Sequence, residues 1–214
     1  MLTNELKEVR ERFFANAPEH VKESVEKATK NLIESGVATG LKEGDIAPDF
    51  TLVNAAGERV TLSEELKNGR VILNFYRGGW CPYCNLELRA YENILDEIKD
   101  AGALLIAISP QMPDQSLSTK EKNNLSFQVL SDPKQEVLSD YNLLFELPDH
   151  LIHTYKNDFN IDLGTYNNTE NPWRLPVSGT FIINQDRTIL LADANPDYMF
   201  RMDPETVIQK LKKN

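Results

Sequence analysis

The stretch Phe75–Glu92, FYRGGWCPYCNLELRAYE, holds both cysteines of the 214-residue chain, Cys81 and Cys84. It starts at the end of one apolar run, Val71–Tyr76 (VILNFY), and leads toward another, Ala103–Ser109 (ALLIAIS). Such runs are typical of strands buried on both faces. Between them Cys84, Leu88, Tyr91, Leu95 and Ile98 recur at helical steps, so they share one helix face. Strand, helix, strand in this order predicts a βαβ unit with a parallel strand pair. Gly78 and Gly79 supply the turn, and Pro82 suits the first position of the helix. Cys81 then stands at the mouth of that helix, and Cys84 about one turn inside it.

Other elements are expected on either side. Leu2, Leu6, Val9 and Phe13 repeat on one helix face, and Val21, Val25, Ala28 and Leu32 on a second, with Gly36 as a stop. Residues 1–40 therefore read as a helical extension whose apolar stripe either covers its own domain or forms the seam of a homodimer. Asp49–Val53 and Arg59–Leu62 predict one hairpin, and Gly179–Asn184 and Thr188–Ala192 another. Asp132-Pro133-Lys134-Gln135 has the order of a capped helix start, predicting a helix through about Tyr141. Residues 143–176 suggest a short helix near His150–Tyr155 followed by an irregular loop, and Pro204–Leu211 a closing amphipathic helix. The expected architecture is one α/β domain over 41–214 with a central mixed sheet flanked by helices.

Composition narrows the function. A formal charge of −10 with no basic block offers nothing to neutralise phosphates, which excludes nucleic acid as a partner. No apolar run is long enough to span a membrane, and MLTNELKEVRERFF lacks the apolar core of a secretory signal, so a cytoplasmic protein is expected. In that compartment two cysteines are more readily reactive than structural. A helix N-terminus favours a thiolate over a thiol, and a second sulfur three residues on is within reach of a disulfide. Zinc would need about four ligands, and only His20, His150 and His153 could join the two sulfurs, so no metal is expected.

With GDIAPDFTL, FYRGGWCPYCNLEL, ISP, FQVLSDP and LPVSGTFIIN, residues from about Gly44 to Ala192 resemble the peroxiredoxins, the alkyl hydroperoxide reductase/thiol-specific antioxidant family of the thioredoxin fold. The resemblance implies a thioredoxin-like fold. Its motif places Cys84 at the peroxidatic cysteine and Glu87 at the glutamate three residues on. Cys81 then takes the threonine position, Arg77 the proline position, and Ser178 the position of the family arginine. The same segment, Trp80-Cys81-Pro82-Tyr83-Cys84, also resembles the Trp-Cys-x-x-Cys of thioredoxins, in which the first cysteine attacks and the second resolves. Access on the sequence favours Cys81 as nucleophile; the peroxiredoxin register nominates Cys84.

The resemblance implies a thiol peroxidase that reduces H₂O₂ or organic hydroperoxides, cycles through a Cys81–Cys84 disulfide, and is regenerated by a thioredoxin-like dithiol. No cofactor is implied. Arg77 or Arg174 is expected to stand in for the missing arginine, with Trp80, Tyr83 and Ser178 shaping the substrate pocket. A thiol–disulfide oxidoreductase acting on protein disulfides, and a non-catalytic interaction domain, are the alternatives.

Overall fold

The computed structural model describes residues 1–167 and 169–213. Helices α1 (Leu2–Asn16) and α2 (Glu19–Ser35) open the chain. Pro18 precedes α2 as its cap, and Gly36 ends it in the left-handed region at φ 65°, where only glycine fits without strain. Strands β1 (Thr51–Asn54) and β2 (Arg59–Thr61) pair as the expected antiparallel hairpin, followed by the short helix α3 (Leu62–Glu65). Next come β3 (Arg70–Phe75), α4 (Pro82–Asn93), α5 (Leu95–Asp100) and β4 (Ala103–Ser109), with β3 and β4 parallel. The single helix expected between them is broken at Ile94 (φ −114°, ψ 13°), yet all five residues of its stripe are buried.

Beyond β4 lie α6 (Pro113–Lys122), β5 (Gln128–Ser131) and α7 (Glu136–Asp140). The last corrects the expected start at Asp132. Residues 132–135 form a turn, closed by the Gln135 N–H on the Asp132 carbonyl at 2.9 Å. Asp132 still caps the helix, its carboxylate accepting from the amides of Glu136 (3.2 Å) and Leu138 (2.9 Å). Then follow β6 (Leu144–Glu146), α8 (Asp149–Asn157) and β7 (Arg174–Pro176). The stretch read as a short helix and loop thus also holds a two-stranded ladder of β6 and β7, with Asn168 outside the described residues. Strands β8 (Ser178–Ile183) and β9 (Ile189–Asn195) form the second hairpin, and α9 (Pro204–Lys213) closes the chain.

The main sheet has the order β2-β1-β5-β4-β3-β8-β9. It is mixed: β3, β4 and β5 run parallel, while β8 pairs antiparallel to β3. Apolar side chains fill both faces. One core gathers Ile72, Cys84, Leu88, Tyr91 and Ile98 with Leu2 and Leu6 of α1 and Val25 of α2; the other gathers Val71, Leu73, Phe75, Ile108 and Phe181. The stripe of the N-terminal helices is therefore used within the molecule. Ser24 of α2 also bonds to α8, sharing a 3.0 Å hydrogen bond with His150 Nδ1 and accepting from the Thr154 hydroxyl at 2.8 Å. No helix among the described residues is long and apolar enough to cross a membrane.

Candidate active site

The site lies where β3 hands over to α4. The turn between them requires Gly78: its φ is 153°, and a Cβ there would lie 2.3 Å from Trp80 Nε1. Gln111, just past β4, accepts the Gly79 N–H at 2.8 Å and ties the turn down. Cys81 is the cap residue of α4, in extended conformation, and Pro82 occupies the first turn. Asn85 fastens this start by donating to the carbonyls of Gly79 (2.9 Å) and Cys81 (3.1 Å). Both cysteines are free thiols and both are buried.

The Cys84 sulfur accepts a hydrogen bond from Nη2 of Arg201 at 3.7 Å. Burial pushes the Cys84 thiol up, but the Cys81 hydrogen bond and the charges of Arg201 and Arg77 outweigh it and hold Cys84 well below the ordinary thiol range. Cys81 moves the other way. Burial, its hydrogen bond to Cys84 and the charge there raise it well above that range, against the pull of both arginines. The Arg201 guanidinium beside Cys84 is the physical reason for a negative charge to rest on that sulfur.

Arg201, in the segment after β9, had no place in the expected site. Its side chain is 3% exposed, and Nε donates to Glu87 Oε2 at 2.9 Å. Nη2 also donates to Ser178 Oγ at 2.8 Å. Nη1 donates to the carbonyls of Phe200 (2.7 Å) and Tyr198. The other carboxylate oxygen of Glu87 accepts from Asn74 Nδ2 at 3.0 Å. Burial raises Glu87 to about 7, with the Arg201 charge opposing and the Cys84 charge adding to the rise. The one hint in the sequence is a lone arginine among Asp193, Asp197 and Asp203. Ser178, read as the position of the family arginine, is the residue that Arg201 reaches.

Arg77 is buried, and its guanidinium lies 4.0 Å from the Tyr198 ring centroid and 5.3 Å from that of Trp80. Its Nη2 donates to the Tyr155 hydroxyl. Trp80 meets Tyr155 edge-to-face at 5.6 Å, and Tyr83 meets Tyr198 likewise at 5.6 Å. These side chains and Cys81 border an apolar cavity. Arg174 lies apart. Held in the β6–β7 ladder opposite Glu146, it lines a groove with Leu32 and Phe145, away from the sulfurs. Among the described residues no cluster of His, Cys, Asp or Glu could hold a metal ion.

Residues 44–192, which contain this turn and most of the sheet, match the AhpC/TSA family. The chain belongs to the AhpC/TSA family. Within it, this AhpC/TSA chain is 35% identical over 101 residues to peroxiredoxin Bcp of Escherichia coli, a match spanning 47% of this chain and 64% of that one. The matched stretch is thus less than two thirds of the relative's length. Among solved structures, peroxidoxin BcpB from Mycobacterium tuberculosis superposes with a TM-score of 0.63 at 21% identity, covering 81% of this chain and 97% of that one. A PrxQ mutant from Xylella fastidiosa gives 0.62 at 18%, covering 81% and 96%. These likenesses are of fold, and the fold is the thioredoxin-like one expected, with helices α1 and α2 added ahead of the matched residues.

Proposed function

We propose that the protein is a thiol peroxidase in which Cys84 attacks the peroxide and Cys81 resolves the product. The observation that carries this reading is the buried Arg201 guanidinium, which donates to the Cys84 sulfur at 3.7 Å. Access along the sequence favours Cys81 as nucleophile and the peroxiredoxin register nominates Cys84; the contact with Arg201 supports the second assignment. The Cys84 thiolate attacks one oxygen of a hydroperoxide ROOH, the O–O bond breaks, and RO⁻ leaves and takes up a proton. Cys84 becomes a sulfenic acid. The Cys81 thiol then attacks that sulfur, a Cys81–Cys84 disulfide forms, and water departs. A thioredoxin-like dithiol supplies the two electrons and two protons that restore the pair.

Access and leaving-group chemistry support the last step. Cys81 borders the cavity and Cys84 does not, so an incoming thiolate meets Cys81 and expels Cys84, whose low pKa makes it the better leaving group. Arg201 and Arg77 are the charges that hold the Cys84 thiolate, and Glu87 orients Arg201. The E. coli relative is named a peroxiredoxin, which agrees with this reading. Residues 1–40 are then an extension to a catalytic unit at 41–214, working without a cofactor in the cytoplasm.

The test is a pair of serine variants treated with substoichiometric peroxide and trapped with dimedone. Cys81→Ser should carry a labelled sulfenic acid at Cys84, and Cys84→Ser should stay unlabelled. The reverse pattern returns attack to Cys81. Absence of label in both, with the wild type unoxidised by peroxide, removes the peroxidase reading.

A further inference from the structure

Two aromatic residues of the cavity beside Cys81, Phe13 and Tyr198, lie outside the residues matching the family. The cavity's volume is about 280 Å³, and six aromatic side chains border it: Phe13, Trp80, Tyr83, Tyr155, Phe159 and Tyr198. Phe13 belongs to α1, ahead of residues 44–192. Its position is set from several directions. Leu2 and Leu6 anchor α1 in the core. The Arg10 guanidinium lies 5.2 Å from the Phe14 ring and 5.1 Å from the Phe200 ring, tying α1 to the segment that carries Arg201. The Phe13 ring meets Phe159 edge-on at 6.3 Å.

Four of the polar atoms around the cavity, Trp80 Nε1, the Tyr83 hydroxyl, and Nε and Nη1 of Arg77, are buried without a hydrogen-bond partner. What the cavity presents is ring faces, ring edges and the Cys81 sulfur. A charged or strongly hydrated substituent would give up water there with nothing to replace it. A single ring fits: an apolar cavity of roughly 150 Å³ already holds benzene.

The geometry points to Phe13 as a specificity-determining residue, and to the cavity as the seat for the organic part of an uncharged, ring-bearing hydroperoxide. This rests on the peroxidase reading above. With the ring among the aromatic side chains, the –OOH group meets the cavity wall at Cys81, with Cys84 one helical turn behind it, and the alcohol left after O–O cleavage keeps the same ring contacts. Edge-to-face packing orients the ring as well as burying it. H₂O₂ has no part that could use the cavity.

The experiment measures kcat/KM for cumene hydroperoxide and for H₂O₂ in the full chain, wild type and Phe13→Ala. It adds equilibrium binding of 2-phenyl-2-propanol, the product alcohol, read by tryptophan fluorescence because Trp80 borders the cavity. Phe13→Ala is expected to lower the cumene hydroperoxide to H₂O₂ ratio about tenfold and to weaken alcohol binding by a similar factor. Phe13→Leu keeps bulk without a ring and should fall between the two. Circular dichroism of each variant separates loss of the wall from loss of the fold. An unchanged ratio with equal alcohol binding in folded Phe13→Ala overturns the assignment, as does the absence of saturable alcohol binding to an enzyme that turns over H₂O₂. Alcohol binding that depends on Phe13, in a protein that turns over neither peroxide, upholds the cavity's ligand class and sinks the peroxidase reading instead.

Discussion

Replacing Arg201 by glutamine removes the guanidinium that donates to Cys84 and its positive charge. The guanidinium nitrogen lies 3.7 Å from the sulfur. Two unit charges near this separation, at an effective dielectric of about 20, interact by about 4 kcal/mol. At 1.36 kcal/mol per unit this is about 3 units of pKa. Glu87 responds, because it loses its ion-pair partner and takes up a proton. That removes a like charge beside the thiolate and returns roughly one unit, leaving a rise of about 2. The alkylation rate falls by less than the thiolate fraction, since nucleophilicity grows with pKa. With a Brønsted slope of about 0.45, a 2-unit rise slows iodoacetamide about tenfold at a pH below both values. The assay is the pH profile of thiolate absorbance together with alkylation, the labelled cysteine being assigned by peptide mass spectrometry. Breaking a buried ion pair also costs about 3 kcal/mol of stability, so Arg201→Lys accompanies it as a charge-conserving control. A Cys84 midpoint that moves by less than about half a unit in folded Arg201→Gln would show that the Arg201 guanidinium does not set the charge on Cys84.

Arg77→Met should raise the Cys84 pKa by less, about one unit, because the Arg77 charge lowers it less than that of Arg201 does; an equal or larger rise than in Arg201→Gln refutes this order. Glu87 ionises at about 7 in the fold against an ordinary value of 4.5. Its folded pKa is raised, so its contribution to stability is full below about 4.5 and lost as pH rises through about 7. Chemical denaturation across that window should therefore show the wild type losing about 3 kcal/mol relative to Glu87→Gln, and parallel curves would contradict it. Leu6 is 4% exposed in the core under α1. Leu6→Ala should cost about 3 kcal/mol and lower Tm by roughly 6–12 °C, whereas an unchanged Tm would mean that α1 is not part of the cooperative unit.

Elements built on carbon were readable from the sequence. β4 was delimited at Ala103–Ser109, and the stripe from Cys84 to Ile98 named five buried residues, because burial on one face leaves a period in the chain. α6 left no such period. Its buried face is made of Ser116 and Thr119, and Ser116 shares a 2.7 Å hydrogen bond with Ser131. Polar packing of this kind cannot be told from a solvated loop by hydropathy. The turn at 132–135 misled for a related reason: a capping carboxylate acts as well from outside a helix as from its cap. At the site, Cys81, Cys84, Arg77, Trp80 and Tyr83 are neighbours in sequence and in space. Arg201 is a neighbour in space only. It sits in a non-repetitive segment, and the sheet order that brings it beside β3 is a property of the whole fold.

Arg201 follows Cys84 by 117 residues, and that interval has a meaning in time as well as in space. At a synthesis rate of about 5–20 residues per second, roughly 6–23 s separate the appearance of the cysteine from that of the arginine. Throughout that interval Cys84 lacks the guanidinium that holds its thiolate. The charge that lowers the Cys84 pKa therefore joins the site only after every strand of the sheet around it has been made.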